Sequence, residues 1–320
     1  MRIYLAGGVS GNLRPLFMNI HLHKCSSDSL LSELFKTLAG EHPIKNGKDM
    51  KVYLAGEHPI KNGKDMKVYL AGENGEKNII ENHIYDSTIK LGDLNILETY
   101  YYLRNNVDIT RLIPYFNSFL LDSGAFTFMQ GNHGGKIDWD KYIEEYGAFI
   151  NKYDIKLFFE LDIDSIVGLA EVERLRDKLQ VITGKHPIPV WHKNRGKEYF
   201  IEMCKKYPYV AIGGIVTEEI KRGTYEKLFP WFIKIAHQNK AKIHGLGYTS
   251  VAKLKYYRFD SVDSTAWLYG NRSGWIDKFN PNLGLIEKIK KEGCRLKSKE
   301  AAINNFIQWC KFSKYAEKYY

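Results

Sequence analysis

The sequence predicts an α/β protein, specifically a (β/α)8 TIM barrel with an irregular N-terminal extension and a C-terminal helix. Three observations predict it. Short runs rich in β-branched and aromatic residues alternate with longer amphipathic segments, which is typical of βαβ units and a parallel sheet. Polar residues end several of these runs, as they do in barrel enzymes. The length of 320 residues suits one decorated barrel, which usually fills about 250 residues or more.

The first strand lies in a repeated segment. Residues 38–53 read LAGEHPIKNGKDMKVY, and residues 54–69 repeat them without change. These units are mostly polar with one short apolar segment, so we interpret them as redundant copies of one strand rather than as a solenoid. The copy at residues 67–72 is expected to fill the first position of the barrel, and the opening RIYLAGG competes for it. The predicted regions are an extension over residues 1–66 and a barrel over residues 67–320.

The remaining elements follow in order along the chain. Strands are predicted at Val68 to Ala71, Ser118 to Asp122, Lys156 to Asp162, Ile188 to Trp191, Tyr209 to Gly213, Lys242 to Leu246 and Arg258 to Asp263. An eighth strand is predicted at Leu94 to Tyr100, although TYYYLR also fits a helix. DWDKYIEEYGAFINKY and GLAEVERLRDKLQVI have helical periodicity, with Asp138 as an N-cap. Ser298 to Tyr320 reads as a basic amphipathic packing helix.

Composition narrows the partners and the compartment. Lys and Arg outnumber Asp and Glu by 47 to 37, and a formal charge of +10 suits a polyanion as well as simple solubility. The cysteines, Cys25, Cys204, Cys294 and Cys310, show neither CxxC spacing nor a disulfide framework, which favours a reducing cytoplasm. No apolar run approaches the roughly 20 residues that cross a bilayer, so neither membrane insertion nor secretion is expected. The oligomeric state is not readable from the sequence.

Several strand ends carry residues suited to chemistry. They are Asp122, Asp162, Asp164, His192, Gly213, Gly214, His244, Asp260 and Asp263. Taken singly, each is more simply explained as a strand-end side chain that satisfies loop amides. Their recurrence at the carboxyl ends of successive strands, where barrel enzymes place their active sites, favours one shared site.

Four segments resemble the tRNA-guanine transglycosylase superfamily, and more closely its DNA-acting branch in phages and bacteria, the DpdA type. LLDSGAF resembles the D-S-G-G-F segment of the family, VAIGGIV resembles A-I-G-G-L-A, IHGLG resembles M-G-V-G, and VDS stands where the family has F-D-C. Their order and spacing agree over residues 67–275. The resemblance also fits a phage-encoded enzyme acting in the bacterial cytoplasm.

This resemblance implies exchange of guanine in a nucleic acid for a 7-deazaguanine base, such as preQ0 or a relative. Asp263 would attack C1′ and hold the ribose covalently while the base leaves. Asp260 is the rival nucleophile, but the distance of Asp263 from GLG fits the family better. Asp122 would act as general acid and base, with a pKa raised by burial near Asp263.

The resemblance also implies how the base is recognised. Asp162 would accept hydrogen bonds from the guanine amidine edge. His192 stands where the transfer-RNA enzymes have glutamine and would donate to the purine carbonyl oxygen. The amides of Gly213 and Gly214 would approach the base closely. Ser123 and Phe126 would line the pocket, with Phe126 stacking on the purine unless it is a plain core aromatic.

Departures from the family concern zinc and the nucleic acid. The transfer-RNA enzymes carry a C-x-C-x-x-C…H zinc site after the nucleophile, and Cys294 and Cys310 are too far apart to supply it. No zinc or other cofactor is therefore expected. STAWLYGNR replaces the family's P-T-R, so Arg272 would contact phosphate from a shifted position, and Ala125 replaces a glycine. These changes favour DNA over transfer RNA.

Two other functions compete with this one. Asp122, Asp162, His192, His244 and Asp263 fit a metal-dependent barrel hydrolase, although no HxH follows the first strand. A non-catalytic barrel that binds nucleic acid through its basic surface is the second, but such a binder has no need of two buried carboxylates.

Overall fold

Parallel strands alternate with helices along the chain. A computed structural model describes residues 2–4, 67–71, 90–105, 110–130, 137–248, 250–268, 275–290 and 298–320. The strands are β1 (Arg2–Tyr4), β2 (Lys67–Ala71), β3 (Asn95–Thr99), β4 (Ser118–Asp122), β5 (Leu157–Phe158), β6 (Val190–Trp191), β7 (Tyr209–Ile212), β8 (Lys242–Gly245), β9 (Ser261–Ser264), β10 (Ile276–Asn280) and β11 (Leu285–Ile289). The helices are α1 (Tyr100–Leu103), α2 (Ala125–Gln130), α3 (Trp139–Lys152), α4 (Asp164–Val167), α5 (Leu169–Thr183), α6 (Gly196–Lys206), α7 (Arg222–Gln238), α8 (Val251–Leu254) and α9 (Ser298–Tyr319). The predicted α/β class is confirmed. Over these ranges no helix has both the length and the apolar character to cross a membrane.

Strands β1 to β9 form one parallel sheet in the order β5-β4-β3-β2-β1-β9-β8-β7-β6. Parallel neighbours need a crossover connection, and the helices between the strands provide it. Backbone hydrogen bonds also join the segment after β5 to the segment before β6. Glu160 N donates to Ile188 O at 3.0 Å, and Ile188 N donates to Phe158 O at 2.8 Å.

Strands β1 and β2 take the same register on β9. Ile3 and Val68 both pair with Val262. One edge of a strand holds one parallel neighbour at a time, and the other edge of β9 pairs with β8. Only β2 also pairs with β3, where Leu70 is opposite Ile96. The copy of the repeat nearest the rest of the chain therefore pairs with β3, β1 and β9, while residues 5–66 lie outside the described residues.

Helix α3 shows how the amphipathic segments cover the sheet. Its predicted N-cap is confirmed, because the Asp138 side chain accepts a hydrogen bond from Lys141 N at 3.0 Å. One face of the helix buries Ile143, Tyr146 and Ile150, which follow the helical period. The Tyr146 hydroxyl hydrogen-bonds to a backbone oxygen of β4 at 3.3 Å, so the buried polar group is satisfied.

The predicted strand at Lys156 to Asp162 is shorter in the structure, where β5 covers only Leu157–Phe158. Backbone pairing nevertheless continues past Phe158, because Phe159 N donates to Leu121 O and Glu160 N donates to Ile188 O, both at 3.0 Å. The Glu160 side chain is fully buried and accepts hydrogen bonds from Arg176 Nη1 at 2.9 Å and Arg195 Nη1 at 2.7 Å. Glu160 therefore forms a buried ion cluster with both arginines directly after β5.

The C-terminal part combines a predicted helix with an unpredicted hairpin. Strands β10 and β11 pair antiparallel, apart from the parallel sheet. The packing helix expected at the C-terminus is confirmed as α9, which binds β10 through side chains. Asn305 Oδ1 accepts from Asp277 N at 2.7 Å, and Trp309 Nε1 donates to Asp277 Oδ2 at 2.8 Å. Burial raises the pKa of Asp277 to about 6, against the hydrogen bond from Trp309.

Candidate active site

Asp122 ends β4, at the edge of the sheet where the parallel strands have their carboxyl ends. Its Oδ2 accepts a hydrogen bond from Gly124 N at 3.1 Å. Burial, followed by repulsion from Asp162 and a smaller effect of Asp263, raises the pKa of Asp122 to about 7, although hydrogen bonds from Gly124 and Thr99 oppose the shift. Asp162 and Asp263 therefore both act on Asp122 electrostatically. An acid with a pKa near neutrality can both give and take a proton under physiological conditions.

Asp263 lies on β9 and is nearly buried, with 4% of its surface exposed. Its Oδ1 atom receives two contacts, the Gly247 amide at 2.5 Å and His244 Nε2 at 3.2 Å. Within the described ranges no hydrogen bond to its Oδ2 atom is found. Oδ1 is thus held by two donors.

Asp162 follows β5 and contacts His192, the residue after β6. His192 Nε2 lies 3.1 Å from Asp162 Oδ2, and His192 Nδ1 lies 2.7 Å from Glu219 Oε1. Burial opposes a charge on His192, but its hydrogen bonds with the two carboxylates outweigh burial and raise its pKa to about 10. His192 is therefore a cation held between two acids. Burial raises the pKa of Asp162, and the contact with His192 opposes that shift.

Gly213 and Gly214 make room for this cation and its partner. A Cβ on Gly213 would lie 2.7 Å from His192 Cε1, and a Cβ on Gly214 would lie 2.5 Å from Glu219 Oε2. Gly214 also has a φ of +70°, which favours glycine. The sequence predicted that both amides face a base, but Gly213 N donates to Trp191 O at 2.8 Å. The Gly213 amide thus belongs to the sheet ladder, and the close approach of this glycine to a base stays a prediction.

Three predicted site residues remain, namely Ser123, Phe126 and Arg272. Ser123 is fully buried, and its Oγ has no hydrogen-bond partner among the described residues. Its carbonyl oxygen accepts from the Tyr142 hydroxyl at 2.7 Å, which fixes the turn after β4. Phe126 lies in α2, but its side chain is outside what the structure describes, and Arg272 is outside the described residues altogether.

Two candidates from the sequence lie in other settings. Asp260 precedes β9 at the amino end, where its Oδ2 accepts from Ile243 N at 2.8 Å and contacts His237 Nε2 at 3.0 Å. Asp164 forms a double hydrogen bond with Arg195, at 2.6 Å for each oxygen. Asp260 is therefore separated from Asp263 by the length of the strand, and Asp164 is part of the buried ion pairs around Glu160.

Sequence reasoning missed Glu219, Ser261 and Tyr209. Ser261 Oγ contacts His244 Nδ1 and the Tyr209 hydroxyl. The period of two in a strand places Ser261 on the same face as Asp263, so this neighbour was open to prediction. Glu219 follows Gly214 in a loop without periodicity, and no local pattern points to its contact with His192.

Comparison with known proteins adds no relative. No model of a known protein family matches the chain, and no curated protein matches it in sequence. The case for a function therefore depends on the geometry of the acids and on the four sequence segments.

Proposed function

We propose that the protein is a transglycosylase that exchanges guanine in a nucleic acid, with DNA favoured over transfer RNA, for a 7-deazaguanine base. The observation that carries this proposal is that the charges of Asp162, after β5, and Asp263, on β9, both raise the pKa of Asp122 at the end of β4. Asp122 has a pKa of about 7, whereas Asp263 accepts two hydrogen bonds on one oxygen. Two carboxyl groups whose environments differ in this way suit the roles of proton donor and nucleophile.

We further propose that the sheet closes into a (β/α)8 barrel. Strands β1 and β2 take the same register on β9, and in the proposed barrel they share one position, so that eight positions are filled. The hydrogen bonds between residues 158–160 and Ile188 support contact between the outer strands of the sheet. In a barrel, the carboxyl ends of β4, β7, β8 and β9 surround one cavity, which is the usual place of the active site in this fold.

In the proposed reaction Asp263 Oδ2 attacks C1′ of the target nucleotide as the bond from C1′ to N9 breaks. The bonding electrons leave with guanine, and Asp122 supplies the proton that makes the departing base neutral. The incoming 7-deazaguanine then gives its N9 proton to Asp122 and displaces Asp263 from C1′. Both carboxyl groups return to their starting states, and neither water nor an external reductant takes part.

One buried polar atom without a partner supports a base pocket beside these acids. Ser123 Oγ is buried and has no hydrogen-bond partner among the described residues. The side chain of Asp162 is 13% exposed and contacts His192 through Oδ2. An unpaired buried polar atom is costly, so a ligand that supplies the missing hydrogen bonds would be stabilised. Guanine has adjacent N–H donors that match a carboxylate oxygen. His192 holds Asp162 in this arrangement and could reach a purine carbonyl only by leaving it.

The alternative function, a metal-dependent hydrolase, is less well supported by the surroundings of His192. A histidine ligates a metal through an unprotonated ring nitrogen. Both ring nitrogens of His192 face a carboxylate, and its pKa is raised to about 10, which favours a doubly protonated ring over a metal ligand. A flipped nucleotide, which a duplex releases at a cost of a few kcal/mol, would bring C1′ to the acids without a metal ion.

The proposal is tested with nucleic acid that carries labelled guanine. Wild-type protein is incubated with the DNA, and separately with transfer RNA, in the presence of a 7-deazaguanine base. We expect release of label from DNA, and a loss of about 10⁴-fold or more for Asp263→Asn with nucleic-acid binding retained. Asp260→Asn is the matched control, because Asp260 lies at the opposite end of β9 and should keep full activity. Folded wild-type protein that releases guanine from neither nucleic acid would refute the proposal.

A further inference from the structure

A buried chain of side chains leads from β7 to Asp263. The Tyr209 hydroxyl contacts Ser261 Oγ, Ser261 Oγ contacts His244 Nδ1, and His244 Nε2 contacts Asp263 Oδ1 at 3.2 Å. Ser261 and His244 are fully buried, and the His244 ring packs 5.2 Å from the Phe159 ring between centroids. Tyr209, Ser261 and His244 have no role in the proposed reaction as described above.

When Asp263 is a carboxylate, the direction of each hydrogen bond between Tyr209 and Asp263 follows from it. A carboxylate accepts and does not donate, so the proton between His244 and Asp263 belongs to His244 Nε2. Burial lowers the pKa of His244 and outweighs the opposing effect of Asp263, so the ring is neutral. A neutral ring protonated at Nε2 accepts at Nδ1, which makes Ser261 the donor there and Tyr209 the donor to Ser261. Each hydroxyl therefore helps to select one tautomer of His244.

We infer that His244 is a positioning residue that fixes Oδ1 of Asp263 and thereby presents Oδ2 to the substrate. The Gly247 amide holds the same oxygen from the other side at 2.5 Å. Two donors on Oδ1 fix the rotation of the carboxylate, and the orientation of a reacting atom affects rate strongly. This inference rests on the proposed function, in which Oδ2 attacks C1′.

A serine, a histidine and an aspartate in contact also suggest a hydrolase triad, but the burial of Ser261 argues against it. Ser261 has 0% exposure, and its Oγ is enclosed between Tyr209 and His244. A nucleophilic serine must reach a substrate carbonyl. In the arrangement seen here the carboxylate, with its second oxygen unoccupied by described donors, is the end of the chain that can react.

The first test compares two substitutions at His244. His244→Met keeps the volume but has no donor, and we expect kcat for guanine release to fall about 100-fold, the typical cost of misplacing a reacting atom by about 1 Å, with KM for DNA unchanged. His244→Gln can still donate from its side-chain amide and should recover much of the rate. His237→Met is the control, since His237 pairs with Asp260 at the opposite end of β9. A kcat of His244→Met equal to that of the wild type, or a loss in KM alone, would overturn the inference.

The second test does not depend on activity. Nitrogen NMR of ¹⁵N-histidine-labelled wild-type protein, with the His244 signals identified from their loss in His244→Gln, reports the tautomer directly. We expect a neutral ring protonated at Nε2, and a change in its signals in Asp263→Asn. A ring protonated at Nδ1 would overturn the inference. The expected tautomer in a protein that exchanges no guanine would instead refute the proposed function and leave the contact intact.

Discussion

Asp122 could be predicted as a candidate site residue from the sequence, because it is a polar residue that ends an apolar strand. For its pKa, the sequence predicted only that the value is raised. The sequence predicted burial near Asp263 as the cause of a raised pKa, whereas the structure adds Asp162 as the larger electrostatic contributor. Such neighbours come from separate strands, so their distance is set by the sheet and not by spacing along the chain.

The pKa of Asp122 predicts a specific pH dependence of guanine release. Asp122 is protonated and able to act as an acid below about pH 7, and it loses its proton as the pH rises through that value. The single-turnover rate should therefore fall above pH 7, by about tenfold per pH unit. In Asp162→Asn the nearby negative charge is gone, so the pKa of Asp122 drops and the decline should begin at lower pH. Rates that are level from pH 6 to pH 9 would contradict this role.

Gly213 gives a second prediction at the scale of single residues. In Gly213→Ala the new methyl group would lie 2.7 Å from both His192 Cε1 and Val190 Cγ1, so His192 must move away from Asp162. We expect a loss of about 1–3 kcal/mol in the free energy of unfolding, the usual cost of overpacking, and a higher KM for the incoming base. Gly223→Ala is the control, since nothing lies within 4 Å of its Cβ. Equal urea denaturation curves for Gly213→Ala and the wild type would show that the site is less tightly packed.

At the scale of elements, β4 was predicted with its observed bounds, because its apolar run is flanked by polar residues. The segment at Leu94 to Tyr100, for which strand and helix were both open, divides between them: β3 ends at Thr99 and α1 begins at Tyr100. The ion pairs of Glu160 with Arg176 and Arg195 could not be predicted, since both partners come from later parts of the chain and leave no local pattern.

Arg195 connects these elements and predicts a large effect on stability. Its side chain is fully buried and binds both Glu160 and Asp164. Arg195→Met would leave two buried carboxylates with less compensation, and we expect a loss of about 3–5 kcal/mol in the free energy of unfolding. Arg174→Met removes an exposed arginine that pairs with Asp140 and Glu171, and should change stability little. Equal effects of the two substitutions in chemical denaturation would contradict the importance of burial.

At the scale of the whole molecule, the parallel sheet could be predicted from the sequence. Which segment forms its first strand could not. Both RIYLAGG and the repeat have the right composition, and the register on β9 is the same for β1 and β2. The pairing of β2 with β3 distinguishes them. The hairpin of β10 and β11 was missed as well, because its short polar strands carry no regular alternation.

A truncated protein tests which strand matters. Because β2 pairs with both β3 and β9, a variant lacking residues 1–66 should fold and keep guanine exchange. Thermal unfolding and the labelled-guanine assay measure both properties. As a control, the same truncation extended through residue 71 removes β2 and should abolish cooperative unfolding. Loss of folding in the shorter truncation would mean that β1 or the intervening segment is required.

The shared register has a consequence for how the protein forms during synthesis. The ribosome synthesises β9 long after β1 and β2, so both strands have already been made when β9 becomes available for pairing. The entropy of closing the longer loop from β1 differs from that for β2 by only about 0.3 kcal/mol, because the cost grows with the logarithm of length. Loop length alone would let the two strands compete almost evenly for β9, so the pairing of β2 with β3 is the contact that favours β2.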